Sequence, residues 1–257
     1  MKIPPVRQWP LVLGNVVRVG LLGQLSEEPI LIGGCGRSGT TLLLAILASH
    51  PRIFAVPFET TCFCRGAYSP DFDPAGALRV GEFYRLLLRS EIPATAARWC
   101  EKTPKNVQMF PEILARFEGR VRLIHMVRDC RDVVTSRHPD DKRRYHVSIN
   151  RWLTDVQAGL SVADRPQVLT LKYEELVTRF EDTVGRLGEF LGEDMTGIAQ
   201  HWHEKTPISE SNAWWTGVRR VDANSVGRWS RPEHEERVAE AMSNPSVVSL
   251  LNELGYL

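Results

Sequence analysis

The densest set of anion-binding groups in the sequence is the stretch GGCGRSGTT, residues 33–41. Its glycines let backbone N–H groups turn toward one point, and Arg37, Ser38, Thr40 and Thr41 add side-chain donors. A helix beginning near Gly39 would add the positive end of its dipole. Counted from Gly34, four residues precede Gly39 and two hydroxyl residues follow it, which is the spacing of a phosphate-binding P-loop. The ATP-binding form of that loop needs lysine where Thr40 stands, because the lysine reaches the outer phosphates while the next hydroxyl binds magnesium. Here the cation sits three positions earlier, at Arg37, whose planar fork grips a single terminal anionic group. The chemistry to expect is the binding of a short 5′ group rather than a triphosphate.

A second set lies in VRDCRDVVTS, where Arg128 follows an apolar run at 121–127 and Ser136 comes eight residues later. An arginine at the carboxyl end of a strand and a serine in the second turn of the next helix can converge on one phosphate. Taken alone, the motif is equally well explained by Arg128 pairing with Asp129 or Asp132 on a surface helix.

Both sets need a rigid frame. Residues 29–49 read as a short buried strand, a glycine turn and an apolar helix, half of a nucleotide-binding unit. Residues 121–127 and 166–173 read as two more strands, each followed by a helical pattern; Asp129 or Asp132 can cap the first such helix, and Gly192 stops the second. Three strand-helix steps imply an α/β chain in three layers, a P-loop-like fold with a central parallel β-sheet flanked by helices. Further helices are expected near 80–90, 105–117 and 148–162, a surface turn at 68–76, and an irregular functional loop at 201–231. Residues 1–28 form an N-terminal extension, expected to be helical, and 29–257 a single domain.

Composition sets outer limits. A chain of 257 residues, 43% hydrophobic and 25% charged, buries enough core to need neither disulfides nor a structural metal. A net charge of +1 excludes broad attraction to nucleic acid or acidic membrane, so positive charge for an anion must be concentrated locally. Cys35, Cys62, Cys64, Cys100 and Cys130 are odd in number and lack paired zinc-site spacing, so reduced, buried thiols are expected. Cys62 and Cys64 flank one residue, but no second pair accompanies them. The apolar N-terminal run is interrupted by Arg18 and lacks a cleavage signature, which points to a cytoplasmic chain without a transmembrane span. That run could pack on the domain as an amphipathic helix or lie at a membrane surface.

Together, the Arg37 loop and the Arg128 to Ser136 pair, in that order and about ninety residues apart, resemble the nucleotide-binding motifs of sulfotransferases. The segments PFET and CEKTPKN make the chain most similar to the tyrosylprotein and related bacterial sulfotransferases, over most of 29–230. The resemblance implies the cofactor 3′-phosphoadenosine 5′-phosphosulfate (PAPS), the product adenosine 3′,5′-bisphosphate (PAP), and no required metal. It assigns Gly36, Arg37, Ser38, Gly39, Thr40 and Thr41 to the 5′-phosphosulfate, and Arg128 and Ser136 to the 3′-phosphate. Tyr173 in LKYEEL and Arg228 in VGRW would contact the nucleotide, Arg228 from a loop that closes late in the chain. Each has a plainer alternative, Tyr173 as core and Arg228 as an exposed loop residue.

Sulfuryl transfer needs a base at the acceptor hydroxyl and positive charge on the departing phosphate. The resemblance gives the first role to Glu59 and the second to Lys102, shared with Arg37. The alternatives are a helix cap or an Arg65 pair for Glu59, and a solvated pair with Glu101 for Lys102. Pro104 stands where cytosolic small-molecule sulfotransferases carry a histidine base, which favours Glu59. His125 falls inside a strand and reads as core. No nucleophile elbow is present, so direct in-line transfer is expected. The partner would be a hydroxyl-bearing acceptor, a small molecule, sugar or peptide, bound by 60–100, 140–152 and 201–220; nucleic acid is not expected, and a homodimer is compatible. Trp214 and Trp215 are candidate pocket aromatics, and Lys142, Arg143 and Arg144 candidate charges for an acidic acceptor. The rival readings are a P-loop kinase or NTPase and a non-catalytic nucleotide-binding scaffold.

Overall fold

Five parallel strands form the centre of the molecule, in the order β2-β3-β1-β4-β5. The computed structural model describes residues 8–69, 74–138, 140–141, 143–205, 221 and 223–257. The strands are β1 (Ile30–Gly34), β2 (Ile53–Ala55), β3 (Arg98–Lys102), β4 (Arg122–Val127) and β5 (Val168–Lys172). β1 lies centrally, with Ile30 opposite Cys100 on one side and Arg122 on the other. After β3 the chain crosses to the far side of β1 to add β4, and this reversal opens a crevice at the carboxyl ends of the strands.

Helices cover both faces, giving the three layers expected from the sequence. Helix α1 (Trp9–Asn15) continues into a π-helical turn at Val16–Leu21, followed by β1 and α2 (Thr40–Ala48). The elements α3 (Pro74–Ala77), α4 (Val80–Leu87), α5 (Phe110–Arg116), α6 (Cys130–Val134) and α7 (Ile149–Leu160) come next. The chain ends with α8 (Tyr173–Thr178), α9 (Phe180–Leu191), α10 (Thr196–Lys205), α11 (Glu235–Met242) and α12 (Pro245–Glu253). Every residue of α2 is buried, as its apolar sequence on all sides requires, and it packs with α8, α9 and α10 into one core. A second core joins α4, α5 and the 62–67 turn around Trp99, and a third joins α6, α7 and α12. Gly192 ends α9 in the left-handed conformation at φ 68°.

The N-terminal extension is docked by polar bonds. Asn15 is fully buried and donates to the carbonyls of Leu88 at 3.0 Å and Ser90 at 2.8 Å. Arg18 donates to the Asn15 side chain at 2.6 Å and to the Ile92 carbonyl at 3.2 Å. Leu13, Leu21 and Leu22 remain exposed. Among the described residues, no helix is long and apolar enough to cross a membrane.

The structure corrects several sequence expectations. Two strands, β2 and β3, were not legible. β3 reads RWCEK, a polar pattern, yet all five residues are buried because both of its faces are covered and its charges are paired. Residues 201–205 belong to α10, whose Trp202 packs in the core, rather than to an irregular loop; 206–220 and 222 lie outside the described residues. The stretch expected as one helix at 105–117 is a 3₁₀ turn, Pro104–Met109, leading into α5 at Phe110. In the expected surface turn, Tyr68 is tied to Asp155 and Pro74–Ala77 is helical.

His125 is fully buried in β4 with both ring nitrogens unpartnered, and burial lowers its pKa to about 3. A depressed histidine pKa means that the unfolded chain binds the extra proton first. Stability is therefore fully present above the ordinary histidine pKa of about 6.5 and is lost as pH falls through the window down to about 3. His125→Leu should remove close to one proton, or about 1.4 kcal/mol per pH unit, from the slope of unfolding free energy between pH 4 and 6. Urea melts of both proteins across that range check it; parallel slopes would refute the assignment.

Candidate active site

Because the strands are parallel, their carboxyl ends share one edge of the sheet, and a sequence candidate sits at or just past each of them. Arg37 follows β1, Glu59 follows β2, Lys102 ends β3, Arg128 follows β4 and Tyr173 follows β5. The sheet thus gathers residues that are far apart in sequence.

The loop after β1 bends sharply. Gly34 has φ 147° and Gly39 φ 88°; a Cβ there would lie 2.3 Å from the Met126 carbonyl oxygen and 2.4 Å from the Tyr173 ring respectively. Arg37 also adopts a positive φ, 73°, at a cost of about 1–3 kcal/mol that the surrounding fold must sustain. Thr40 and Thr41 open α2, Gly39 caps it, and the Ser38 hydroxyl is buried with no hydrogen-bond partner. Arg37 is exposed by surface area, yet protein atoms still crowd its guanidinium. That desolvation, and then the nearby charges of Arg128 and Arg228, lower its pKa below the usual arginine value. Three arginines therefore share one region, the local concentration of charge that a near-neutral chain needs to hold an anion.

The motif after β4 touches this loop directly. Arg128 donates to the Arg37 carbonyl at 3.1 Å and to the Ser225 carbonyl at 2.5 Å, and its guanidinium lies 4.3 Å from the Tyr173 ring centroid. Its Nε is buried without a partner. Arg128 also pairs with Asp132 at 3.5 Å, the plain alternative read from the sequence, but Asp132 does more than that. Its carboxylate accepts the backbone N–H of Gly227 at 2.8 Å and of Trp229 at 3.0 Å, anchoring the loop that carries Arg228. Asp129, not Asp132, caps α6 through the Arg131 N–H. The Tyr173 hydroxyl meets the Ser225 hydroxyl at 2.5 Å, so Tyr173 is a buried first residue of α8 that joins Gly39, Arg128 and the late loop. Ser136 turns its hydroxyl to the Asp132 carbonyl at 2.8 Å, and Arg228 is exposed, donating to the Asn224 carbonyl at 2.9 Å.

Glu59 and Lys102 form an ion pair at 2.7 Å, with the lysine 2% exposed and the glutamate 42%. Neither takes its plain alternative: Arg65 pairs with Glu82, and Glu101 projects to the other face of β3. Glu101 is a residue that sequence reasoning missed. Fully buried, it accepts from the Thr60 N–H and hydroxyl, the Thr103 hydroxyl at 2.7 Å and Asn106 at 2.6 Å. Desolvation raises its pKa, and these four donors oppose the rise. Its effect is to fix the turn carrying Glu59 against the end of β3. His146 is the other omission, for its imidazole lies within the field of Arg37, Arg151 and Glu59. Trp214, Trp215 and Lys142 fall outside the described residues, while Arg143 and Arg144 are exposed.

The arrangement offers a glycine cradle, unpartnered buried donors at Ser38 and Arg128, a cationic rim and a lysine-paired carboxylate on the open side. These fit a ligand with two separated anionic groups. Comparison with known proteins gives the family and the fold. The model of the sulfotransferase family matches residues 29–197. A protein of Caenorhabditis briggsae, provisionally named protein-tyrosine sulfotransferase, is 26% identical over 205 residues, 69% of this chain and 70% of its own. The fold is shared with the sulfotransferase domain from the curacin biosynthetic pathway, at TM-score 0.57 and 18% identity over 84% of this chain and 98% of that one. It is shared as well with the sulfotransferase domain of the Synechococcus PCC 7002 olefin synthase, at TM-score 0.55 and 19% identity over 85% and 96% of the two chains. Mouse sulfotransferase SULT7A1, solved with PAP, gives TM-score 0.55 and 18% identity over 97% and 94%. With a parallel sheet that brings both anion motifs to one edge and a family match over most of its length, the chain belongs to the sulfotransferase family, as an enzyme of PAPS-dependent sulfuryl transfer.

Proposed function

We propose that the enzyme transfers the sulfuryl group of PAPS to an acceptor hydroxyl directly, without a metal and without a covalent enzyme intermediate. One observation carries the reading: the Arg128 side chain donates to the Arg37 carbonyl, so the two phosphate motifs meet in a single site. In this reading the backbone and hydroxyls of 36–41 hold the 5′ group, Arg128 and Ser136 hold the 3′-phosphate, and Tyr173 and Arg228 close around the nucleotide. When bound, PAPS supplies an activated sulfuryl group on a good leaving phosphate. Glu59 takes the acceptor proton, and Lys102 with Arg37 neutralises the charge left on the phosphate. The 2.7 Å contact between Lys102 and Glu59 supports these roles, because it places the base beside the cation that must face the leaving group.

A P-loop kinase is disfavoured by Thr40, which cannot reach an outer phosphate, and by Arg128 at the strand end where such enzymes place an acidic magnesium ligand. Calorimetric titration distinguishes the two. PAP should bind tightly and equally well with and without a chelator, whereas ATP with magnesium should bind weakly. Magnesium-dependent ATP binding with no response to PAP would overturn the reading. The name of the Caenorhabditis briggsae relative makes a tyrosine hydroxyl the first acceptor to assay.

A further inference from the structure

The loop after β1 lacks the lysine of an ATP-binding P-loop, which leaves Arg37 as its own sole strong cation. A second one reaches it from another element. Arg151 stands in the first turn of α7, which packs beside β1 and the Pro104–Met109 turn. A Cβ added to Gly36 would lie 3.2 Å from its Nη2, 3.6 Å from Cζ and 3.8 Å from Nη1, so the guanidinium covers Gly36 within the anion loop.

What holds it there is a buried cluster with no role in the site described so far. Asp155, one helical turn on, is fully buried; its Oδ1 accepts from the Tyr68 hydroxyl at 2.5 Å and from Gln108 at 2.7 Å. Its Oδ2 lies 3.5 Å from the Arg151 Nε, and neither of those atoms has a hydrogen-bond partner. The Tyr68 ring sits 5.2 Å from the guanidinium, closing its other side. Tyr68 and Gln108 serve only Oδ1 of this buried carboxylate, so Oδ2 is left facing the Arg151 Nε. Here it draws the stem side of the guanidinium inward and leaves the Nη fork over Gly36. The Arg151 side chain keeps 27% of its surface, so it reaches the cleft. Burial, and then the charges of Arg37 and Arg151, lower the His146 pKa, so both guanidiniums lie within electrostatic reach of one imidazole.

We propose that Arg151 is a further cofactor-binding residue, contacting the 5′ anionic group of PAPS, and that Asp155 with Tyr68 positions it. This rests on the PAPS reading above. The loop's missing charge is supplied from α7, by a fork that can bind two anionic oxygens at once.

The test compares two ligands that differ only at the 5′ position, PAP and adenosine 3′-monophosphate, titrated against wild type, Arg151→Met, Arg151→Lys, Asp155→Asn and Tyr68→Phe. Arg151→Met should weaken PAP by about 10- to 100-fold and leave the 3′-monophosphate unchanged, the span expected for charged hydrogen bonds. Arg151→Lys should recover part of the loss, and Asp155→Asn and Tyr68→Phe should show a smaller loss with the same selectivity. Equal weakening of both ligands would make Arg151 merely structural, and full PAP affinity in a folded Arg151→Met protein would remove it from the site. If Arg151→Met fails to fold, the lysine and tyrosine variants decide by the same ratio. Wild-type protein that bound neither nucleotide would overturn the PAPS reading itself, and this inference with it.

Discussion

Glu59→Gln is expected to lower kcat by about 10²- to 10⁴-fold while PAP affinity stays at the wild-type value, the range over which a positioned general base contributes. The amide keeps the shape of the side chain and cannot take a proton. Glu59 stands at the open side of the crevice, 42% exposed and 2.7 Å from Lys102, and Glu101 fixes the turn that carries it. Turnover should therefore suffer without loss of the nucleotide site, as single-turnover kinetics beside PAP titration would show. Lys102→Met should lower kcat by about 10²- to 10³-fold, the size of one lost electrostatic contact to developing charge. The double variant should fall well short of the product of the two effects, because paired groups act as a unit. Lys102 is 2% exposed, so removal of its partner leaves a buried ammonium poorly satisfied and Glu59→Gln should also melt earlier. Full turnover in Glu59→Gln would send the base elsewhere, and His146 is the side chain to replace next.

The parts of this site that could be read from the sequence are those whose donors are crowded together. The 33–41 loop packs glycines, an arginine and hydroxyls into nine residues, and β1, β4 and β5 are apolar runs that announce themselves. β3 was hidden because its five residues include Arg98, Glu101 and Lys102, a pattern that suits a surface until each buried charge is seen to have its own partner. Glu101 and Thr60 are 41 positions apart, and Asp132 and Gly227 are 95 apart, so no local period could join them. Arg151 and Asp155 are visible as a helical i,i+4 pair. Their neighbour Gly36 is visible only after β1 and α7 have packed. What the sequence lacks throughout is the set of distant contacts that turn separate motifs into one cleft, and these arise from strand order.

Arg128→Ala tests that joining most directly. Arg128 links the loop carbonyl of Arg37, the late-loop carbonyl of Ser225, the ring of Tyr173 and the carboxylate of Asp132, and its Nε remains unpartnered. If Nε and a remaining N–H of the fork serve the 3′-phosphate, truncation should cost two charge-assisted bonds, about 3 kcal/mol or more, and so about 10²-fold or more in PAP affinity. Asp132 keeps its two backbone N–H donors, which limits the damage to the fold. The diagnostic quantity is a ratio. Wild type should prefer PAP to adenosine 5′-monophosphate, and Arg128→Ala should bring the two ligands to similar affinity. Arg128→Lys should restore only part of the preference, because an ammonium replaces the fork by a point charge. A variant that still preferred PAP would move the 3′-phosphate to other residues, with Arg228 the first to examine, since its charge already acts on Arg37 across the same opening.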